Sequence, residues 1–462
     1  MTTLDRTHVQ AIGRFAGSTH LDDVPTDVVD LARLLLIDTL GALLGGLRYP
    51  PVRELGRAVA VDEGPEPGTP PFGTLLTLGT AATWLDADSG GSFHPQGHRL
   101  PPVPTAHPAP HSLPVLLHAA ASRGTGDRRL LEIFLLANEV GLRSGTASSL
   151  RPGLHPHGVH GPAAAALAGV LARAGTADEL ARAFLLGSSL PLAATLAVPM
   201  HGGTVRNVWT GLGSWYGALA GELARDTADD YPGTYTALFD AAVCTDLSVD
   251  LLVDGLGERW ELVNSYLKPY ACARWIHPAL DAVLAATAAE GVRGEDVLRV
   301  EVDTFAFAAS LDAVEVRSDM HARFSLPYSV AALLTDGVLD AASFLPDQLS
   351  REGVAELARR VTVREDPAFS AALPVERPTR VVVRTADGRA LSAEVRNARG
   401  NPATPLSREE VASKFRRNTG DLLDPPITEA VQRALLDAPD GDTDSLAVLA
   451  RAVLELLPRG AQ

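Results

Sequence analysis

The sequence is short of cysteine, lysine and long apolar runs, and each shortage excludes something. Cys244 and Cys272 are the only cysteines in 462 residues. Two cysteines build no disulfide framework and do not supply the ligands of an ordinary iron–sulfur cluster. They point to a reducing compartment. The most apolar stretch, Leu34 to Leu47, holds Asp38 and three glycines, so it does not read as a membrane span. The opening MTTLDRTHVQ lacks the basic start and apolar core of a secretory signal. A cytoplasmic protein without membrane attachment is expected.

Positive charge is also in short supply. Lysine plus arginine number 40 against 56 Asp plus Glu, a formal net charge of −16. Such a field repels nucleic acid and anionic lipid, so neither is an expected partner. A small anionic substrate would need a local basic pocket. Only Lys268 and Lys414 among the basic residues are lysine, which makes each an exception to a strong arginine bias. Lys268 lies in Lys268-Pro-Tyr-Ala-Cys-Ala-Arg-Trp-Ile-His277, near an expected domain boundary where clefts form. Lys414, beside Arg416 and Arg417 on a polar helix, reads as part of a solvated face.

What is present is a globular composition, 46% hydrophobic and 21% charged, in a chain long enough for two or three domains. Apolar spacing predicts helices over Val28–Leu44, Pro114–Ala121, Leu130–Val140, Pro162–Ala174 and Ala177–Leu186, the last started by Thr176 and Asp178. Alternation predicts strands at Leu298–Phe307 and Thr379–Thr385, and Asp387-Gly388 turns the latter into Leu391–Val395. Ser407 with Glu410 marks a returning helix. The expected fold is mainly α: a large helical domain from both chain ends, 1–263 and 401–462, with a smaller α+β domain inserted at 264–400.

Eight of the 13 histidines fall between residues 94 and 160, in or near two proline-rich segments, 94–111 and 152–162, expected to be loops. The pairs His94/His98 and His107/His111 have metal-like i, i+4 spacing, but no rigid helix, cysteine or HExxH motif accompanies them, so no metal site is assigned. The run Gly211-Leu-Gly213-Ser-Trp-Tyr-Gly217 has the wrong spacing for a nucleotide loop and reads as close helix packing.

Six segments in order resemble the MmgE/PrpD family, over nearly the whole chain. They are Leu36 to Gly45, Leu85-Asp-Ala-Asp88, His107-Pro108 with Pro114, Leu154-His-Pro-His-Gly158, Lys268 to Asp281, and Arg323-Phe-Ser-Leu-Pro-Tyr328. The resemblance implies a helical domain with an inserted α+β domain and an active site between them. It also implies a homodimer that needs no cofactor and a substrate that is a small di- or tricarboxylate. The implied chemistry is that of a lyase, a dehydratase or decarboxylase, acting next to a carboxylate. An isomerase or epimerase on the same site is the alternative, and a non-catalytic relative the third reading. Carried over by position, the catalytic set is Asp86, His107, His155, Lys268 and Tyr328, with Arg206, Arg274, His157, His277 and Ser325 binding substrate. Lys268 would act as a charge, or as a base if its pKa falls. The chain departs from the family pattern at Ser89-Gly90-Gly91, at Arg206 where a lysine is usual, and at His157 where a threonine is usual. Extra residues before His107 include His94 and His98, and the lengthened 89–106 loop is expected to cover the pocket.

Overall fold

A computed structural model describes residues 3–59, 71–93, 103–104, 106–192, 194–226, 231–437 and 443–458. Helices dominate, and a small sheet-bearing part follows the long helical one, as expected from the sequence. The long helix spans Thr26–Leu47, and every residue from Leu35 to Leu47 is buried. A helix covered on all sides needs neighbours all round. Phe72–Trp84 and the late helix Arg408–Thr419 both pack on it. Ser445–Leu456 packs on Ala109–Arg123, so helices from both chain ends share one core. None of the described helices is long and apolar enough to cross a membrane.

Val205–Leu223 lies against Gly161–Ala172 and Phe72–Trp84. Its glycines permit this contact. A Cβ at Gly211 would fall 2.2 Å from the Leu76 carbonyl oxygen, and one at Gly217 would fall 2.4 Å from that of Pro162. The close-packing reading of this run is therefore the structural one.

Among the described residues, nine short strands form three sheets. β1 (Gly90–Phe93), β2 (Val103–Pro104) and β5 (Ser265–Tyr266) make one; β3 (Ser148–Leu150) pairs with β4 (Cys244–Leu247). The largest contains β6 (Val297–Thr304), β7 (Val361–Glu365), β8 (Thr379–Thr385) and β9 (Ala390–Val395), in the order β7-β6-β8-β9. β8 buries Thr379, Val381, Val383 and Thr385 while the residues between face outward, the period-2 pattern that marked it as a strand. The parallel β6–β7 pair requires a crossover, which runs through helices that include Leu326–Asp336 and Glu352–Arg359.

The two proline-rich segments are loops over less of their length than expected. Helix Ala109–Arg123 starts inside the first and contains Pro114, and Gly161–Ala172 starts at the end of the second. Prolines 110 and 162 sit at the first turns, where a missing N–H costs nothing.

Candidate active site

Phe72–Trp84 ends at a turn that organises the site. Asp86 adopts a left-handed φ of 48°, unusual for a residue with a side chain. Buried donors pin the carbonyls along this turn. Arg206 Nη1 donates to Thr83 at 2.6 Å, Arg323 Nη1 to Leu85 at 3.0 Å, Lys268 Nζ to Asp86 at 2.9 Å and Lys414 Nζ to Ala87 at 3.0 Å. His107 Nδ1 follows with Ser89 at 2.8 Å. Strain at Asp86 persists because its neighbours over-determine the path.

Lys414 is thus not on a solvated face. It is buried at 4% exposure, and its Nζ meets Asp38 Oδ1 at 2.7 Å. Asp38, on the fully buried Leu35–Leu47 part of its helix, cannot shed its charge to water, so the opposite charge comes to it. Both lysines of the chain end on consecutive carbonyls of one turn.

The same turn carries two carboxylates. Asp86 Oδ1 accepts from Lys268 Nζ at 2.8 Å and Arg206 Nη2 at 2.5 Å. Asp88 Oδ1 lies 3.5 Å from Arg206, while its Oδ2 lies 2.8 Å from His107 Nδ1 and 3.2 Å from His157 Nε2. Burial alone would raise the Asp88 pKa, but Lys268 and Arg206, with the adjoining imidazoles, outweigh it and hold the carboxyl well below its usual range. Burial likewise works against the Lys268 ammonium, and Asp86 and Asp88 more than offset that, so its pKa rises. Lys268 is a fixed cation here, which removes the condition under which it would serve as a base.

Backbone groups set the histidine tautomers. A carbonyl only accepts, so His107 carries its proton on Nδ1, bonded to Ser89, and presents the Nε2 lone pair. The Tyr266 hydroxyl is 3.5 Å from that Nε2. A backbone N–H only donates, so His155 Nδ1 accepts from the His157 amide at 3.1 Å and its Nε2 carries the proton. The two imidazoles face the site in opposite states. His157 stands edge-on to both, at ring-centroid distances of 4.4 and 4.6 Å. Desolvation, then the Arg206 charge, push the His155 and His157 pKa values well below the ordinary histidine value.

The altered motif has a local use. A Cβ at Gly90 would lie 2.7 Å from both His107 Cε1 and the Tyr266 hydroxyl. Glycine there lets ring and phenol approach. Asp88, His107 and His157 also have ligand atoms within 4.8 Å of one another, a two-histidine, one-carboxylate set. The donor chemistry fits a metal poorly, because His107 Nδ1 is protonated toward Ser89 and the Arg206 guanidinium already lies 3.5 Å from Asp88. His94 and His98 lie outside the described residues, as does most of the 89–106 loop expected to be a lid. Of its described flanks, β2 pairs with β1, and β1 pairs with β5, which ends two residues before Lys268.

The turn therefore gathers Asp86, His107, His155, His157, Arg206 and Lys268. It does not gather Tyr328, whose buried hydroxyl donates to the Ser343 carbonyl at 3.0 Å, nor Ser325, which caps the Leu326–Asp336 helix through the Tyr328 amide at 3.0 Å. His277 Nε2 bonds the Cys272 carbonyl at 3.1 Å. Arg274 lies one residue-ring away, stacked on Tyr266. Asp88, Tyr266 and Lys414 escaped the sequence reading. Asp38 inside an apolar helix was the signal that a buried cation had to exist.

A cation-lined turn with two imidazoles in opposite tautomers is suited to moving protons on an anionic molecule. The chain belongs to the MmgE/PrpD family: its N-terminal domain is matched over residues 10–204 and its C-terminal domain over 270–437. Two sequences described as cis-aconitate decarboxylase from Aspergillus terreus are 24% identical to it, each match covering 92% of this chain and 92% of the relative. Family and relatives together support an enzyme of the dehydratase or decarboxylase lyase type.

Proposed function

We propose that this protein is a lyase, working without metal or organic cofactor, that breaks a bond next to a carboxylate of a small di- or tricarboxylate. The observation that carries the reading is the opposite tautomers of His107 and His155, fixed by Ser89 and the His157 amide. His107 Nε2 takes a proton in an elimination; where CO2 leaves, the same nitrogen must first be protonated, as the imidazolium, to give that proton to the carbanion. Asp88 stabilises the imidazolium that forms, as a carboxylate behind a base does. His155, held neutral, offers its Nε2–H as a hydrogen bond to the developing charge. Lys268, and Arg206 behind it, supply fixed positive charge where the transition state gains negative charge. Arg206 grips Asp86 and Thr83, so replacing the family's lysine there keeps an anchor.

Incubation with cis-aconitate, 2-methylcitrate or iminodisuccinate in D2O tests this. Deuterium at the carbon next to a carboxylate, with loss of water or CO2, is expected for one of them. Exchange with altered stereochemistry and no bond cleavage favours epimerisation, which the paired imidazoles also suit. The ordered use of Gly90 and Ser89 argues against a non-catalytic relative.

A homodimer completes the reading. Val205, Val208, Trp209, Leu212, Trp215, Tyr216, Leu219 and Leu223 form a half-exposed apolar stripe along one helix. Trp209 also stands 6.2 Å from the His155 ring. Light scattering at twice the 48.5 kDa chain mass is the expected result.

A further inference from the structure

Ser89, Gly90, Gly91 and Ser92 each fix one part of a pair formed by His107 and Tyr266. The Ser89 carbonyl accepts from His107 Nδ1 at 2.8 Å. Gly90 pairs with Tyr266 between β1 and β5, and a Cβ on it would lie 2.7 Å from both the Tyr266 hydroxyl and His107 Cε1. The Gly91 amide donates at 2.9 Å to the carbonyl of Ala106, the residue before His107. Ser92 Oγ accepts from Arg274 Nη1 at 3.0 Å, and that guanidinium lies over the Tyr266 ring, its Cζ 3.4 Å from the centroid. The two rings meet edge-on at 86°, with the buried hydroxyl 3.5 Å from His107 Nε2. Because Nε2 carries no proton, the phenol is the donor in that contact.

An elimination needs an acid as well as a base, and the other groups at the turn are poor acids. Asp88 is held ionised and has no proton to give, while the Lys268 ammonium is held in place by Asp86 and Asp88. Arginine does not practically deprotonate, which sets Arg206 aside. Burial keeps His155 and His157 neutral. A neutral imidazole that gave up its N–H would be left as imidazolate, a far stronger base than phenolate. The Tyr266 phenol has a proton to give, and the Arg274 cation over its ring stabilises the negative charge left behind. Its hydrogen bond to Nε2 also favours the unprotonated imidazole, the state in which His107 is a base.

We propose that Tyr266 is the general acid that works with His107 as base, delivering its phenolic proton to the hydroxyl that leaves in a dehydration. This rests on the lyase reading above and narrows it to loss of water from a hydroxyl-bearing polycarboxylate. His107 Nε2 takes the proton from the carbon next to the carboxylate. The electron pair of that C–H bond forms the double bond, the neighbouring C–O bond breaks, and the departing oxygen takes the Tyr266 proton and leaves as water. The His107 imidazolium then returns its Nε2 proton to the adjacent phenolate, which restores both groups. An acid and a base in contact reset each other without a proton from solvent.

Tyr266→Phe deletes the hydroxyl and keeps the ring beneath Arg274. The full chain is assayed in D2O with 2-methylcitrate and citrate for water loss and for deuterium exchange next to the carboxylate, and with cis-aconitate for CO2 release. Wild type is expected to lose water from one of the hydroxy acids. In Tyr266→Phe, kcat for water loss is expected to fall on the order of 10²–10³-fold, with KM within about threefold of wild type. Deuterium exchange is expected to persist in that variant, which shows the fold and the base intact, whereas His107→Gln loses exchange and water loss together. Dehydration by Tyr266→Phe within about threefold of wild type overturns the acid role and leaves the lyase reading standing. Loss of exchange along with water loss in Tyr266→Phe also overturns it, because the phenol would then only hold His107 in place. A wild type that releases CO2 from cis-aconitate and dehydrates neither hydroxy acid removes the acid role while keeping a lyase. A wild type that does neither removes the lyase reading and the acid role with it.

Discussion

Around the Asp86 turn, charged side chains meet with bonding capacity left over; at the Leu326–Asp336 helix, Ser325 and Tyr328 from the same family motifs are committed to the backbone. Asp88 leaves both carboxylate oxygens without a well-aligned hydrogen bond, and His157 Nε2 is likewise unmatched. Tyr328, Ser325 and His277 instead spend their polar atoms on the backbone. Family motifs alone do not distinguish the two regions. Hydrogen-bond accounting does: a buried group whose partners are imperfect is held in readiness, while a satisfied one holds the fold.

The sharpest break of this comparison is Lys268→Met. It removes the ammonium from Asp86 and from the site while leaving the chain's packing of similar volume. Turnover of whichever polycarboxylate the wild type processes is expected to fall on the order of 10³–10⁴-fold, with unchanged far-ultraviolet circular dichroism. Retained activity would dissolve the distinction between the regions.

Lys414→Met probes the same turn from behind. Asp38 would keep its buried charge and lose its partner. Removing one member of a buried pair costs about 3–5 kcal/mol, readable by urea denaturation. The double variant Asp38→Leu with Lys414→Met is expected to recover most of that loss. Recovery of stability without recovery of activity would show that Lys414 positions the Ala87 carbonyl as well as holding the fold.

Acid sensitivity follows from the buried imidazoles. Burial pushes the pKa of His111 down to about 4 and that of His160 to about 3, and His155, His157 and His277 are also well below their usual value. The unfolded chain, titrating near 6.5, takes up these protons first. Stability is therefore full above about pH 6.5 and falls as pH drops toward the folded values. Asp38 and Glu139, raised by burial, act in the opposite sense at lower pH. His111 alone accounts for on the order of 3 kcal/mol over the full window. The melting temperature at pH 5 is expected to be below that at pH 7, and less so in His111→Gln.

The parts of the fold written locally were legible in the sequence. β8 appears over Thr379–Thr385 as predicted, the Ser407–Glu410 capping box forms, and Thr176 caps the helix it was read to start. Pairings across long sequence separations were not legible. Lys414 sits among Arg416 and Arg417, and only the tertiary contact with Asp38, 376 positions away, reveals it as buried. Asp88 adjoins Asp86 in the motif, but its proximity to His157 depends on how the 152–160 loop folds back. The resemblance carried His107, His155 and Lys268 to one place; it carried no information on hydrogen-bond satisfaction, which is why Tyr328 was grouped with them.

The smallest expected effect tests the other side of the comparison. Tyr328→Phe deletes one hydroxyl, buried against Phe344 and bonded to the Ser343 carbonyl. Desolvation raises its pKa to about 12, so it stays protonated at neutral pH and titrates in no catalytic range. Losing one neutral hydrogen bond costs about 1 kcal/mol of stability. Turnover is expected to stay within about threefold of wild type, because the hydroxyl is already committed to the backbone that connects the helix to the 342–344 turn. A 100-fold loss of kcat at unchanged stability would mean that the phenol leaves Ser343 during the reaction. The satisfied region would then belong to the chemistry, and hydrogen-bond accounting in the resting structure would no longer separate groups that react from groups that hold.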